Sequence, residues 1–204
     1  MKIVDENLSF DETKHLYFLK GRVSAGVTNT LSKTGITDFG SVDRDILDRA
    51  SKFGRAVHTA TELWDRKILD LASLDEPLVP YLDAWKAFLD AEVREILHIE
   101  LPVYSLKYNF AGTIDRIYFD KRGRLCLGDI KTSGVFNAGV PLQTAGYQLA
   151  FEEMFKKMKV ARRVGVILKG DGTYLPEVFE DRSDRDDFLA CLRVAAYKFK
   201  CGLK

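Results

Sequence analysis

Residues 110–133 read FAGTIDRIYFDKRGRLCLGDIKTS, two runs of β-branched, aromatic and aliphatic residues joined by Lys121-Arg122-Gly123. That pattern predicts two neighbouring strands in a hairpin. Each run carries one aspartate where an apolar side chain is expected, Asp115 in the first and Asp129 in the second. Neighbouring strands let the two carboxylates converge on one side of a sheet. Because side chains alternate along a strand, Lys131 faces the same way as Asp129. Two carboxylates and an ammonium on one face suit a divalent cation that prefers hard oxygen ligands, Mg2+ or Mn2+, with a water positioned beside it. The same triplet also fits an Asp129–Lys131 ion pair on an exposed edge strand with Asp115 solvated, a contact of small energetic value. Gly112 and Gly128, together with two carboxylates in otherwise apolar strands, favour the site, since small residues there admit another backbone or a phosphate.

Outward from this hairpin the chain alternates element types. Towards the C-terminus, residues 141–159 predict a helix, RRVGVILK (162–169) and TYLPEVFE (173–180) predict strands around the turn Asp171-Gly172, and residues 183–201 predict a closing helix. In PLQTAGYQLAF, Gln143 and Tyr147 lie one helical turn apart on one face, with Gly146 permitting close packing beside them. Towards the N-terminus, HIELPVYSL (98–106) reads as a strand, and helices are expected over 80–97 and 43–71. The longer helix carries an apolar stripe through Phe53, Val57, Ala60, Trp64 and Ile68, and a separate polar face with Gly54, His58, Glu62 and Asp65. Glycine inside a helix costs about 1 kcal/mol relative to alanine. At Gly54 it removes a side chain one turn before His58 and opens access to the imidazole. A lone helical histidine is more often solvated or packed, so His58 is a ligand candidate only in this company. Earlier still, VTNTLSKTG predicts a short helix stopped by Gly35, and NLSFDETKHLYFLKG a hairpin turning at Asp11-Glu12-Thr13. The fold class is therefore α/β, a mixed central sheet flanked by helices with an N-terminal β-hairpin and helical segment.

At 204 residues, 46% hydrophobic and 11% aromatic, the chain builds a real core and is neither disordered nor fibrous. Its 31 Lys and Arg against 30 Asp and Glu leave a net charge of +1, which argues against a protein that merely coats DNA. An enzyme whose metal-binding carboxylates offset its phosphate-binding cations stays compatible with that balance. Three scattered cysteines, Cys126, Cys191 and Cys201, form neither a disulfide framework nor a metal knuckle, and a reducing, cytoplasmic setting is expected. No run of about 18 apolar residues and no apolar leader is present, so a soluble, unprocessed chain without a membrane partner is expected. No repeat or linker divides it.

In order, GRAVH, GTID, GDIKT and QTAGY resemble the RecB-like branch of the PD-(D/E)XK nucleases, over about Phe53 to Tyr147. VTNTLSKTG is similar to an element of phage exonucleases and of the mitochondrial genome maintenance exonuclease, with Ala25-Gly26 where a Pro-Ser or Ser pair often precedes Val-Thr. The resemblance implies a restriction-endonuclease-like core in a single domain over 1–204, the N-terminal hairpin and helices at 1–97 and the catalytic sheet core at 98–204. It implies metal ligation by His58, Asp115, Asp129 and the Ile130 carbonyl, catalysis by Asp115, Asp129 and Lys131, and placement of a DNA strand by Gln143 and Tyr147. Arg55 and Thr132 join them as substrate-binding candidates, and Lys52, Arg66, Lys67, Lys107 and Arg116 as phosphate contacts. Tyr108 and Phe110 are candidates for base stacking or for core. The cofactor is one or two Mg2+ or Mn2+ ions, with the His58 nitrogen tilting preference towards Mn2+; three cysteines cannot supply the four-cysteine iron-sulfur cluster of some relatives. The activity implied is a DNA exonuclease on single strands or ends, in recombination, repair or replication in a bacterial or phage-infected cell. A homo-oligomer or a replication or recombination partner protein accompanies that picture. A structure-selective endonuclease on the same site, or a non-catalytic nucleic-acid-binding module, are the alternatives.

Overall fold

In a computed structural model, residues 2–3, 6–11, 16–37, 43–134 and 136–203 are described. The elements are β1 (Lys2–Ile3), β2 (Leu8–Asp11), β3 (Leu16–Leu19), β4 (Arg22–Gly26), α1 (Val27–Lys33), α2 (Arg44–Asp65), α3 (Val79–Glu92), β5 (Val93–Ser105), β6 (Phe110–Asp120), β7 (Leu125–Lys131), α4 (Gly139–Met154), β8 (Arg162–Leu168), β9 (Tyr174–Phe179) and α5 (Asp184–Lys200). The strands make one mixed sheet in the order β1-β2-β3-β4-β6-β7-β8-β9, with β5 paired to β6. Parallel pairing occurs at β4–β6 and β7–β8, and the rest is antiparallel. This is the mixed α/β, restriction-endonuclease-like class expected. The N-terminal hairpin pairs Leu8–Asp11 with Leu16–Leu19, although Glu12 and Thr13 of its expected turn lie outside the described residues.

Alternation along the strands fills two cores. Leu125 and Leu127 of β7 face α4 and α5 with Ile117, Tyr147, Phe151 and Phe188. Cys126 and Ile130 face α2 and α3 with Val57, Trp85, Phe88 and Tyr118. All of β7 up to Ile130 is buried, as expected of a strand covered by helices on both faces. Where α4 crosses α5, a Cβ on Gly146 would lie 2.8 Å from the Phe188 ring, so glycine sets that close approach.

Three helix ends differ from the sequence expectation, among them α4, expected to reach residue 159 and ending at Met154. The helix expected to run to residue 71 ends at Asp65, where Lys67 takes a left-handed φ of 60°. Ile68 N–H bonds Leu63 O at 3.0 Å and Lys67 N–H bonds Trp64 O at 2.9 Å, the paired hydrogen bonds of a Schellman stop. Lysine in place of the usual glycine hid that stop, and Ile68, placed on the core stripe by periodicity, is exposed. The helix expected over 80–97 ends at Glu92, and β5 begins at Val93. Val93 and Ile96 satisfy both helical and strand spacing. Pairing with β6, from Val93↔Asp120 to Ser105↔Phe110, decides for the strand.

Candidate metal centre

One edge of β6 carries β5 along its whole length, whereas the other is shared by two neighbours. It pairs with β4 through Phe110 and Ala111 and with β7 from Arg116 onwards. Asp115 stands at the fork between them. Its Oδ2 accepts the backbone N–H of Ile130 at 2.6 Å, a side chain doing there what a strand would do elsewhere. The Ile130 carbonyl lies 3.1 Å from Nε2 of His58, which α2 brings over the same point. Helix α2 delivers the imidazole from one side of the sheet and α4 delivers Gln143 and Tyr147 from the other.

On the α2 side, His58 Nδ1 lies 3.7 Å from Asp115 Oδ1 and 4.0 Å from Glu100 Oε1. One ligand atom each from His58, Glu100 and Asp115 fall within 4.8 Å of one another. Burial works to lower the His58 pKa, but the negative charges of Asp115 and Glu100 outweigh it and raise it to about 8. Glu100 holds a left-handed backbone at φ 48°, a conformation that a non-glycine residue adopts at a cost and that concentrates at functional sites. Sequence reasoning did not single out Glu100. The signal was the same as for Asp115, an acid inside the apolar strand HIELPVYSL.

On the α4 side, Asp129 is almost fully buried, and its Oδ2 lies 2.6 Å from Lys131 Nζ. Its Oδ1 accepts a hydrogen bond from Gln143 Nε2 at 3.0 Å, and the same nitrogen lies 3.0 Å from the Tyr147 hydroxyl as its donor. Gln143 thus holds the aspartate in place. Burial and the nearby Asp115 push the Asp129 carboxyl up, against the pull of Lys131. Burial pulls Lys131 down, but Asp129 and Asp115 outweigh it and keep the ammonium charged. Burial, Asp129 and Asp115 hold the Tyr147 phenol well above its ordinary range, so it stays protonated.

The glycines expected to admit a phosphate instead admit aromatic rings. A Cβ on Gly112 would stand 2.5 Å from Tyr147 Cε1, and one on Gly128 would stand 3.1 Å from Tyr118 Cε1. Gly54 does keep its side of the site open: among the described residues, the Thr132 hydroxyl, 3.4 Å from where a Cβ would stand, is the one neighbour within 4 Å.

Of the expected phosphate contacts, Arg116 is corrected outright. It is fully buried, with Nε 2.6 Å from Asp65 Oδ2 and Nη1 3.1 Å from Glu100 Oε1. Asp65, expected on a polar helix face, has a fully buried carboxylate that also accepts from Trp85 Nε1 at 3.0 Å. Lys52, Arg55, Arg66, Lys67 and Lys107 are exposed, Thr132 is partly buried, and Arg55 bonds Ser51 Oγ at 2.6 Å. Phe110 belongs to the core, and Tyr108 packs at its margin with Lys107 Nζ 4.8 Å from its ring centroid.

An imidazole and several carboxylates gathered at the fork of a mixed sheet, with a lysine two residues beyond the second aspartate, define a class of metal-dependent nuclease. The chain belongs to the PD-(D/E)XK nuclease superfamily, whose family model matches residues 40–194. No curated protein matches it. A solved structure described as "Crystal structure of SSO0001" is similar over 70% of each chain at 14% identity, with a TM-score of 0.37, and at that level it carries no argument. No helix among the described residues is long and apolar enough to cross a membrane.

The donor set fits the divalent metal this superfamily uses. Imidazole nitrogen, carboxylate oxygens and a peptide carbonyl are ligands for Mg2+ or Mn2+. The Asp129 carboxyl, pushed towards protonation by burial and by the nearby Asp115, is a group that a cation stabilises in its charged form.

Proposed function

We propose that the protein is a divalent-metal-dependent DNA exonuclease acting on single strands or ends. The observation that carries this reading is the meeting of His58 Nδ1, Glu100 and Asp115 at one point, with the Ile130 carbonyl on the other ring nitrogen and the Asp129–Lys131 pair beside them. His58, Glu100, Asp115, Asp129 and Ile130 O would hold the cation. When bound, that ion lowers the pKa of a water and offsets charge gathering on the scissile phosphate.

The remaining roles fall to the chain itself. Lys131, kept protonated, donates to a phosphate oxygen or orients the attacking water. Gln143 fixes Asp129 by its Oδ1 and leaves Oδ2 facing Lys131. Tyr147 stays neutral and backs Gln143. Arg55, one turn before His58 on α2, and Thr132, one residue beyond Lys131, contact phosphates of the strand. With His58 among the ligands, Mn2+ is preferred over Mg2+. Residues 1–204 act as one domain in a cytoplasmic DNA-repair or recombination role.

Linear and circular single-stranded DNA incubated with Mn2+ test this reading. Degradation of the linear form alone is expected, and loss of cleavage in Asp129→Ala and Lys131→Ala with unfolding curves still cooperative. Nicking of circles would make it an endonuclease, and binding without cleavage a non-catalytic module.

A further inference from the structure

Arg116 lies one residue beyond Asp115 and has no exposed surface. A buried guanidinium needs both charge compensation and partners for its N–H groups. Asp65 supplies the first, 2.6 Å from Nε and itself tied to Trp85. Nη2 donates to Thr61 Oγ1 at 3.2 Å, and Nη1 donates to the Asp115 carbonyl at 2.6 Å and to Glu100 Oε1 at 3.1 Å. The rigid fork therefore reaches α2, β5 and β6 at once. Its outer arm touches the backbone of one cation-ligand candidate and the carboxylate of another.

Asp65 is the closer acid, 2.6 Å from Nε against 3.1 Å between Nη1 and Glu100 Oε1, so Asp65 anchors the fork and its outer arm orients Glu100.

We propose that Arg116 is a positioning residue of the cation site: its fork, held by Asp65, fixes Glu100 against His58 and Asp115 as a ligand. This rests on the reading above that these three residues hold the cation. Arg116→Lys keeps the charge and loses the fork, so lysine is not a conservative replacement here. Removing an outer partner of a metal ligand characteristically weakens metal binding about 10- to 100-fold.

Calorimetric titration with Mn2+, which needs no catalysis, tests the idea in wild type, Arg116→Lys, Glu100→Gln and the double variant, with thermal unfolding in the absence of metal as the folding control. Arg116→Lys is expected to bind about 10- to 100-fold more weakly than wild type. In the Glu100→Gln background the same change is expected to have no further effect, the signature of one residue acting through the other. Wild-type affinity in Arg116→Lys, or losses that multiply in the double variant, would overturn the proposal while leaving the cation site standing. Absence of Mn2+ binding by the wild type would remove both. Should Arg116→Lys not fold, Asp65→Asn serves instead. It leaves the guanidinium charge to Glu100 alone, so weakened Mn2+ binding is expected and unchanged binding refutes the proposal.

Discussion

The carboxylate of Asp115 accepts the backbone N–H of Ile130 at 2.6 Å, across the point where β6 and β7 separate. One side chain thereby closes the sheet and faces His58 with its other oxygen, 3.7 Å from Nδ1. Two substitutions separate the roles. Asp115→Asn keeps an oxygen for the Ile130 amide, so stability should stay within about 1 kcal/mol of wild type while Mn2+ affinity falls at least tenfold. Asp115→Ala leaves that buried amide unpaired and should cost about 1–3 kcal/mol in addition. Urea unfolding beside metal titration measures both.

The His58 pKa, raised to about 8 against an ordinary 6.5, makes cation binding depend on pH. In the metal-free protein the imidazolium is stabilised by Asp115 and Glu100. That contribution is fully present below 6.5 and is lost as pH rises through 8. A cation needs the neutral ring, so it competes with the proton. Mn2+ affinity should climb with pH and level off above about 8, and His58→Gln should flatten the rise. A titration in which wild type and His58→Gln share one pH profile would exclude the imidazole as a ligand.

Gly112 is the space for Tyr147. A methyl there would stand 2.5 Å from Cε1, so Gly112→Ala must push the ring and with it Gln143 and Asp129. Overpacking of this kind costs about 1–3 kcal/mol. Cleavage should fall further than stability alone explains, a comparison best made well below the melting temperature.

Arg55 is exposed and, among the described residues, bonds Ser51 on its own helix. Arg55→Ala should change stability by less than about 0.5 kcal/mol. If the side chain contacts a phosphate, DNA affinity drops for every sequence alike, and the slope of log affinity against log salt becomes shallower by about 1. An unchanged slope would assign Arg55 to the solvated surface.

Much of this site is local in origin and so was legible along the chain. Asp115, Asp129 and Lys131 are acids and a base at strand spacing inside apolar runs, and Gln143 and Tyr147 share a helix face, as periodicity alone predicts. His58 stood out by the glycine before it. Glu100 carries the same signal as Asp115, an acid in an apolar strand, yet its value depends on meeting His58 and Asp115 from another element.

The sequence by itself determined the order of helices and strands through residue types and hydrophobic spacing, and it placed the chemistry at the end of the central hairpin. Only the tertiary structure decided that Val93–Leu97 is strand, because β6 supplies the ladder that breaks an even local preference. Only it decided that Arg116 is buried, because whether a charge lies inside depends on partners such as Asp65, 51 positions away, that can neutralise it. Local propensity reads the neighbours in sequence; the burial of charge reads the neighbours in space.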